Sequence, residues 1–313
     1  MDIVDQLPRT DLGEGPWWDA KGQNLIIVDL YAGSIHRLNL PTGKLDTIET
    51  GVTTGFAVLD QNDNVIAGLK NGIYRLQFGS AKIELLARPQ RQPLKSHFND
   101  GKCDRQGRIW AGTRILNRKP IGCLYRLDSD GQLTEIVKNV RTSNGTGWSP
   151  DNKIMYYTDT RTGKISCFDY DAATGTPSNG PRLFAEIPAE QGRPDGLTVD
   201  SDGRVYSALF TGGKVNVYTP DGKLEEVIFV PAPKTTSVAF GGSDLKTLYI
   251  TTGTHDSTED ELRNYPLSGR TFAVKRTVSG LPEARFKNMI GAGSRSAGKP
   301  LANPSWKPLC MDL

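Results

Sequence analysis

An all-β chain arranged as a six-bladed β-propeller of four-stranded blades is the fold class the sequence predicts, and three observations predict it. Gly 34 and Pro 19 among 313 residues punctuate short runs of β-branched and aromatic residues. Few windows carry the apolar period of an amphipathic helix. One pattern also recurs six times: an apolar approach, a polar turn holding Asp, Asn or Gly, then a β-rich strand.

The copies are WWDAKGQNLIIVD from Trp17, AVLDQNDNVIAG from Ala57, KCDRQGRIWAGT from Lys102, GWSPDNKIMYYTD from Gly147, TVDSDGRVYSAL from Thr198 and AFGGSDLKTLYIT from Ala239. Their turns sit near Asp19, Asp60, Asp104, Asp151, Asp200 and Gly241. That spacing, roughly 40 to 50 residues, is the length of a four-stranded propeller blade. Most copies are followed by a second hairpin, as in GSIHRLNLPTGK, NGIYRLQF, GCLYRLDSDGQL, GKISCFDYDAATG and GKVNVYTPDGKL, which supplies two outer strands. Solenoid coils repeat at shorter periods, and β-sandwiches need no such regularity. IVDQL at Ile3 and RTFAVKRTV at Arg270 are the candidates to close the ring with strands from both ends. The propeller is therefore expected over residues 1–282. Residues 283–313, which lose the alternation and collect Gly, Ser, Lys, Arg, Asn and Pro, are expected to form a partly flexible tail that Trp306 and Leu309 could dock.

Composition excludes several functions. Lys+Arg 38 against Asp+Glu 35 gives a net charge of +3 without a polybasic run, so no nucleic-acid partner is expected. Residues 1–8 carry Asp2 and Asp5 and no apolar core of a signal peptide, and no stretch approaches the roughly 20 apolar residues of a membrane helix. A cytoplasmic protein without a membrane partner, a monomer or weak oligomer, is expected. Cys103, Cys123, Cys167 and Cys310 lack zinc-ligand spacing and read as reduced thiols.

The chemistry is expected where the innermost strands converge. Four places set a carboxylate or amide beside glycine a similar interval before a blade turn: Gly13-Glu14-Gly15-Pro16, Phe98-Asn99-Asp100-Gly101, Ser143-Asn144-Gly145 and Arg193-Pro194-Asp195-Gly196. Asn-Gly and Asp-Gly are also common turn dipeptides. Their shared register points instead to Glu14, Asn144 and Asp195, with Asn99 near them, meeting at the axis. Two carboxylates and an amide oxygen in a narrow channel call for a cation between them. Oxygen-only ligation suits Ca²⁺ first, with Mg²⁺ and Mn²⁺ close behind and Zn²⁺ or Fe²⁺ also accommodated.

LGEGPWWD, FNDGKCDRQGRIWAGT, SNGTGWSPDNKIMYYTDT, RPDGLTVDSDGRVYSALF and TSVAFGGSDLKTLYITT together resemble the SMP-30/gluconolactonase/luciferin-regenerating-enzyme-like family over about residues 10–280. YPLSGRTFAV resembles its pentonolactonase and gluconolactonase branches. The resemblance implies one divalent cation held by Glu14, Asn144 and Asp195, with Asp195 as acid/base and Asn99 at a substrate position. Where the family often has a substrate-gripping Arg this chain has His97, and where some relatives have Glu it has Asn117, with Arg114 nearby. The expected reaction is hydrolysis of a sugar lactone, an aldono-1,4- or 1,5-lactone, to the aldonic acid. The alternatives are a phosphotriesterase-like hydrolase on the same cation and a non-catalytic calcium-binding propeller. GxSxG is absent, and no Ser/His pair suggests a nucleophilic triad. Cys103 and Trp110 are expected in the core, and His36 and His255 on the surface.

Overall fold

The structure is a computed structural model that describes residues 1–90, 95–116, 119–287 and 289. Strand β1 (Asp2–Ile3) precedes the first blade, which comprises β2 (Gly13–Asp19), β3 (Asn24–Asp29), β4 (Ser34–Asn39) and β5 (Lys44–Glu49). The second holds β6 (Thr54–Leu59), β7 (Val65–Leu69), β8 (Gly72–Leu76) and β9 (Glu84–Ala87). The third holds β10 (Ser96–Cys103), β11 (Ile109–Ile115), β12 (Gly122–Leu127) and β13 (Leu133–Val140). The fourth holds β14 (Ser143–Trp148), β15 (Ile154–Asp159), β16 (Lys164–Asp171) and β17 (Thr176–Glu186). The fifth holds β18 (Arg193–Val199), β19 (Val205–Phe210), β20 (Lys214–Tyr218) and β21 (Leu224–Phe229).

The sixth blade is β22 (Thr235–Gly241), β23 (Thr247–Thr252) and β24 (Phe272–Lys275), and β1 completes it by pairing Asp2 with Ala273 and Ile3 with Phe272. Both chain-end candidates thus enter one sheet, so the ring closes as the sequence led us to expect. A short helix, α1 (Glu259–Asn264), interrupts this blade between β23 and β24. No helix among the described residues is long and apolar enough to cross a membrane.

Burial falls from axis to rim. The innermost strands β6, β14 and β22 are buried at every position, whereas the outermost β5 and β21 are mostly exposed. Apolar side chains pack between neighbouring blades. Trp17, Phe56 and Phe98 join the first three, and Tyr206, Phe240 and Phe272 join the last two. Trp110 and Cys103 are core residues, as expected. Cys103, Cys123 and Cys167 are free thiols, and Cys310 lies outside the described residues.

The recurring Asp explains the repeat. Asp60, Asp104 and Asp200 are fully buried at the inner hairpin turns, and each carboxylate accepts two backbone N–H groups of its own turn, such as Gln106 at 3.0 Å and Arg108 at 2.9 Å for Asp104. In the fourth blade Ser149 takes the place, its Oγ accepting from Lys153 and Ile154. Asp104 does more. It accepts from Arg108 Nε at 2.6 Å, Trp110 Nε1 at 3.1 Å and the Tyr170 hydroxyl at 2.7 Å, tying the third blade to the fourth.

After β24 the chain crosses the turn ends of the inner hairpins. Ser279 O accepts from Ser201 N, Glu283 pairs with Lys102 at 3.1 Å, Arg285 reaches Asp19 and Asp63, and Phe286 is fully buried with its N–H on Leu59 O. Residues 283–287, on the tail side of the expected boundary, are thus held on the body. Trp306 and Leu309 lie outside the described residues.

Replacing Asp104 by Ala would leave Arg108, 9 % exposed, without its buried counter-charge and two turn amides without an acceptor. We expect Asp104→Ala to lower unfolding stability by about 3–5 kcal/mol, read by urea denaturation. A loss below about 1 kcal/mol would remove this turn network from the account.

Candidate active site at the propeller axis

Each inner strand carries a register break, and four of the six fall on the polar positions singled out above: Glu14/Trp17, Phe98/Gly101, Ser143/Thr146 and Pro194/Leu197. A bulge inserts an unpaired residue and re-aims its side chain. In these strands it brings Glu14, Asn99, Asn144 and Asp195 onto the wall of one cavity of about 420 Å³, although each is only 4 % exposed. The neighbouring glycines let the strands approach. A Cβ on Gly145 would stand 2.6 Å from the Asp195 carbonyl oxygen and 2.7 Å from Leu197 N, so no larger residue fits without separating the fourth and fifth blades.

Hydrogen bonds fix two of these side chains. Asn99 Nδ2 donates to Ser143 O at 2.9 Å, and Asn144 Nδ2 donates to Thr160 Oγ1 at 3.0 Å, in the 3₁₀ turn Thr160–Thr162. Asn144 Oδ1 and Asp195 Oδ1 are buried and have no partner among the described residues. Burial raises the Glu14 carboxyl well above its ordinary range, and Asp195 and Asp100 push it further, while Gly15 N–H and Arg114 oppose. Asp195 is likewise raised by burial and by Asp100, against Arg114. Asp100 belongs to a narrower axial space just past the site, which all six inner strands line.

Orphaned, inward-facing oxygens beside two carboxylates of suppressed acidity fit a divalent cation. Its binding would satisfy the amide and carboxylate acceptors and offset the burial and repulsion that raise the proton affinity of the two carboxyls. No three His, Cys, Asp or Glu side chains gather as a metal cluster among the described residues. The amide oxygen of Asn144 is therefore an integral part of any such set, and an all-oxygen set suits a hard ion.

Of the remaining expected residues, Arg114 lines the cavity from β11, over the ring of Tyr31 at 5.9 Å. His97 does not line it. It is 3 % exposed, with Nδ1 donating to Phe98 O at 2.7 Å, its ring T-shaped against Tyr31 and Nε2 without a partner among the described residues. Burial lowers its pKa to about 4, so the ring is neutral. Asn117 lies outside the described residues.

Two histidine expectations need correction. His36 is buried between Ser34 and Thr47 because β4 turns it inward, and His255 reaches the cavity wall because the loop after β23 folds back on Tyr31, 4.0 Å between ring centroids, and onto Asp11. Thr160, Arg161, Arg193 and Lys234 also line the cavity. The register argument does not reach them, because they lie beside the inner strands or at their ends.

The raised carboxyls fix the sign of a pH effect. Their contribution to stability is complete below the unfolded carboxyl range near pH 4 and is lost as pH rises through the higher folded values. In chelator, Asp195→Asn should therefore exceed the parent in stability at pH 8 by at least about 1 kcal/mol, with the difference shrinking toward pH 4. Denaturation across that range checks it. A variant no more stable than the parent at any pH would refute the repulsion.

The chain matches the family described as the SMP-30/Gluconolactonase/LRE-like region over residues 12–254. It is 37 % identical over 276 residues to 6-deoxy-6-sulfogluconolactonase of Pseudomonas putida, covering 88 % of this chain and 94 % of that protein. Pentonolactonase XacC of Haloferax volcanii is 35 % identical over 295 residues, 92 % of this chain and 98 % of its own. Among solved structures, a luciferin-regenerating enzyme superposes with a TM-score of 0.86 at 27 % identity, covering 91 % of this chain and 98 % of that one. With its propeller and axial cavity alongside these matches, the chain belongs to the SMP-30/gluconolactonase/LRE-like family.

Proposed function

We propose that the protein is a lactonase that opens an aldono-1,4- or 1,5-lactone to the aldonic acid with the help of one divalent cation, Ca²⁺ in the first instance. The observation that carries this reading is the pair of buried oxygens without a partner among the described residues, Asn144 Oδ1 and Asp195 Oδ1, on the same cavity wall as Glu14. Relatives that cover nearly the whole chain and are named for lactone hydrolysis support the reaction class.

Glu14, Asn144 and Asp195 would hold the cation. When bound, it supplies Lewis-acid polarisation of the lactone carbonyl and makes a neighbouring water more acidic. Asp195 accepts the proton of the attacking water at its carboxylate and returns it to the ring oxygen as the ring opens. Its depth in the cavity excludes bulk water from that exchange. Asn99, anchored on Ser143 O, orients the sugar hydroxyls, and Arg114 faces the same space as a donor to the developing negative charge. Thr160 holds the Asn144 amide so that its oxygen, not its NH₂ group, is presented to the cavity.

A pH-indicator assay of aldonolactones on protein stripped of metal and reloaded with single ions tests the proposal. Stripped protein should be inactive and regain turnover with one or more of Ca²⁺, Mg²⁺, Mn²⁺ or Zn²⁺. Asp195→Ala should lower kcat by about 10²-fold or more and abolish tight cation binding. Turnover near the parent rate in that variant would contradict the mechanism.

A further inference from the structure

The cavity carries more positive charge than a neutral sugar lactone requires. Arg114, Arg161, Arg193 and Lys234 line it from four blades, and outside the proposed ligand set the opposing carboxylates on its wall are Asp256 and Glu261. Lys234 is committed to structure. Its Nζ donates to His255 O at 2.5 Å and Ser257 Oγ at 2.8 Å and stands 3.8 Å from Glu261, which pins the α1 loop.

Arg193 differs. It is exposed at the start of β18, and its guanidinium makes no hydrogen bond or ion pair among the described residues. Arg114 likewise has no carboxylate within ion-pair distance among those residues and lines the same cavity over the ring of Tyr31. A divalent cation would offset Glu14 and Asp195, and neither guanidinium is paired with Asp256 or Glu261.

We infer that the substrate is a lactone bearing an oxyanion, a phosphate or a sulfonate, on the end of its carbon chain remote from the ring carbonyl, and that Arg193 grips that group. Arg193 and Asp195 lie two residues apart on β18 and both line the cavity, Asp195 buried within it and Arg193 exposed at the start of the strand. A lactone whose ring carbonyl sits against Asp195 would extend its far end toward Arg193. A guanidinium is suited to such a group because it presents a planar fork of donors.

The inference rests on the lactonase reading, and one experiment separates the two. Glucono-1,5-lactone, its 6-phosphate and its 6-deoxy-6-sulfonate are compared by kcat/KM on the cation-loaded protein. We expect at least one anionic lactone to exceed the neutral one about tenfold or more, a preference that shrinks as NaCl is raised. The better of the two names the anion. Arg193→Gln should reduce the anionic-to-neutral ratio about tenfold, and Arg193→Lys should restore part of it. Because Arg193 is exposed, the variants should fold, and the parent comparison needs no variant. A neutral lactone turned over as well as both anionic ones, or a ratio unmoved by Arg193→Gln, would overturn the inference alone. No turnover of any of the three would overturn the lactonase reading and this inference with it.

Discussion

Glu14 and Asp195 approach one another in a buried space where burial and Asp100 raise the proton affinity of both carboxyls, beside an amide oxygen without a partner among the described residues. An arrangement of this kind opposes folding, because like charges and unpaired acceptors in a poorly solvated space each cost free energy. It persists because the ring of blades over-determines it. The bulges that turn these side chains inward sit in strands buried at nearly every position, and the glycines beside them are in backbone contact with the next blade.

Stability comes from elsewhere. The buried turn carboxylates at Asp60, Asp104 and Asp200 are satisfied by backbone amides, and apolar side chains between blades supply the non-directional part. The β1–β24 pairing and the strap formed by residues 279–287 join the ends of the chain to several blades. The strap lies at the turn ends of the inner strands and the cavity toward their starts, so anchoring and chemistry occupy opposite faces of the ring. A change that loosens a turn should therefore be felt first as stability and only later as activity.

The repeat and the axial convergence were legible because both follow from regular spacing. Asp turns at a fixed interval predict the blades, and polar residues in register before them predict Glu14, Asn99, Asn144 and Asp195 on one wall. His97 shows the limit of that reasoning. Two-residue alternation puts it on the same side as Asn99, but the register break between Phe98 and Gly101 re-aims Asn99 and leaves His97 against Phe98 O and Tyr31. His255, Arg161 and Lys234 were out of reach because their positions depend on how loops fold across the mouth, which periodicity does not encode.

The central claim, that Glu14, Asn144 and Asp195 share one cation, is tested most directly by anomalous diffraction from crystals loaded with Mn²⁺. The account predicts a single axial peak with an oxygen of each of the three side chains about 2.0–2.6 Å away. No peak at the axis in an otherwise loaded crystal, or a peak that leaves the Asn144 amide oxygen unliganded, would contradict it.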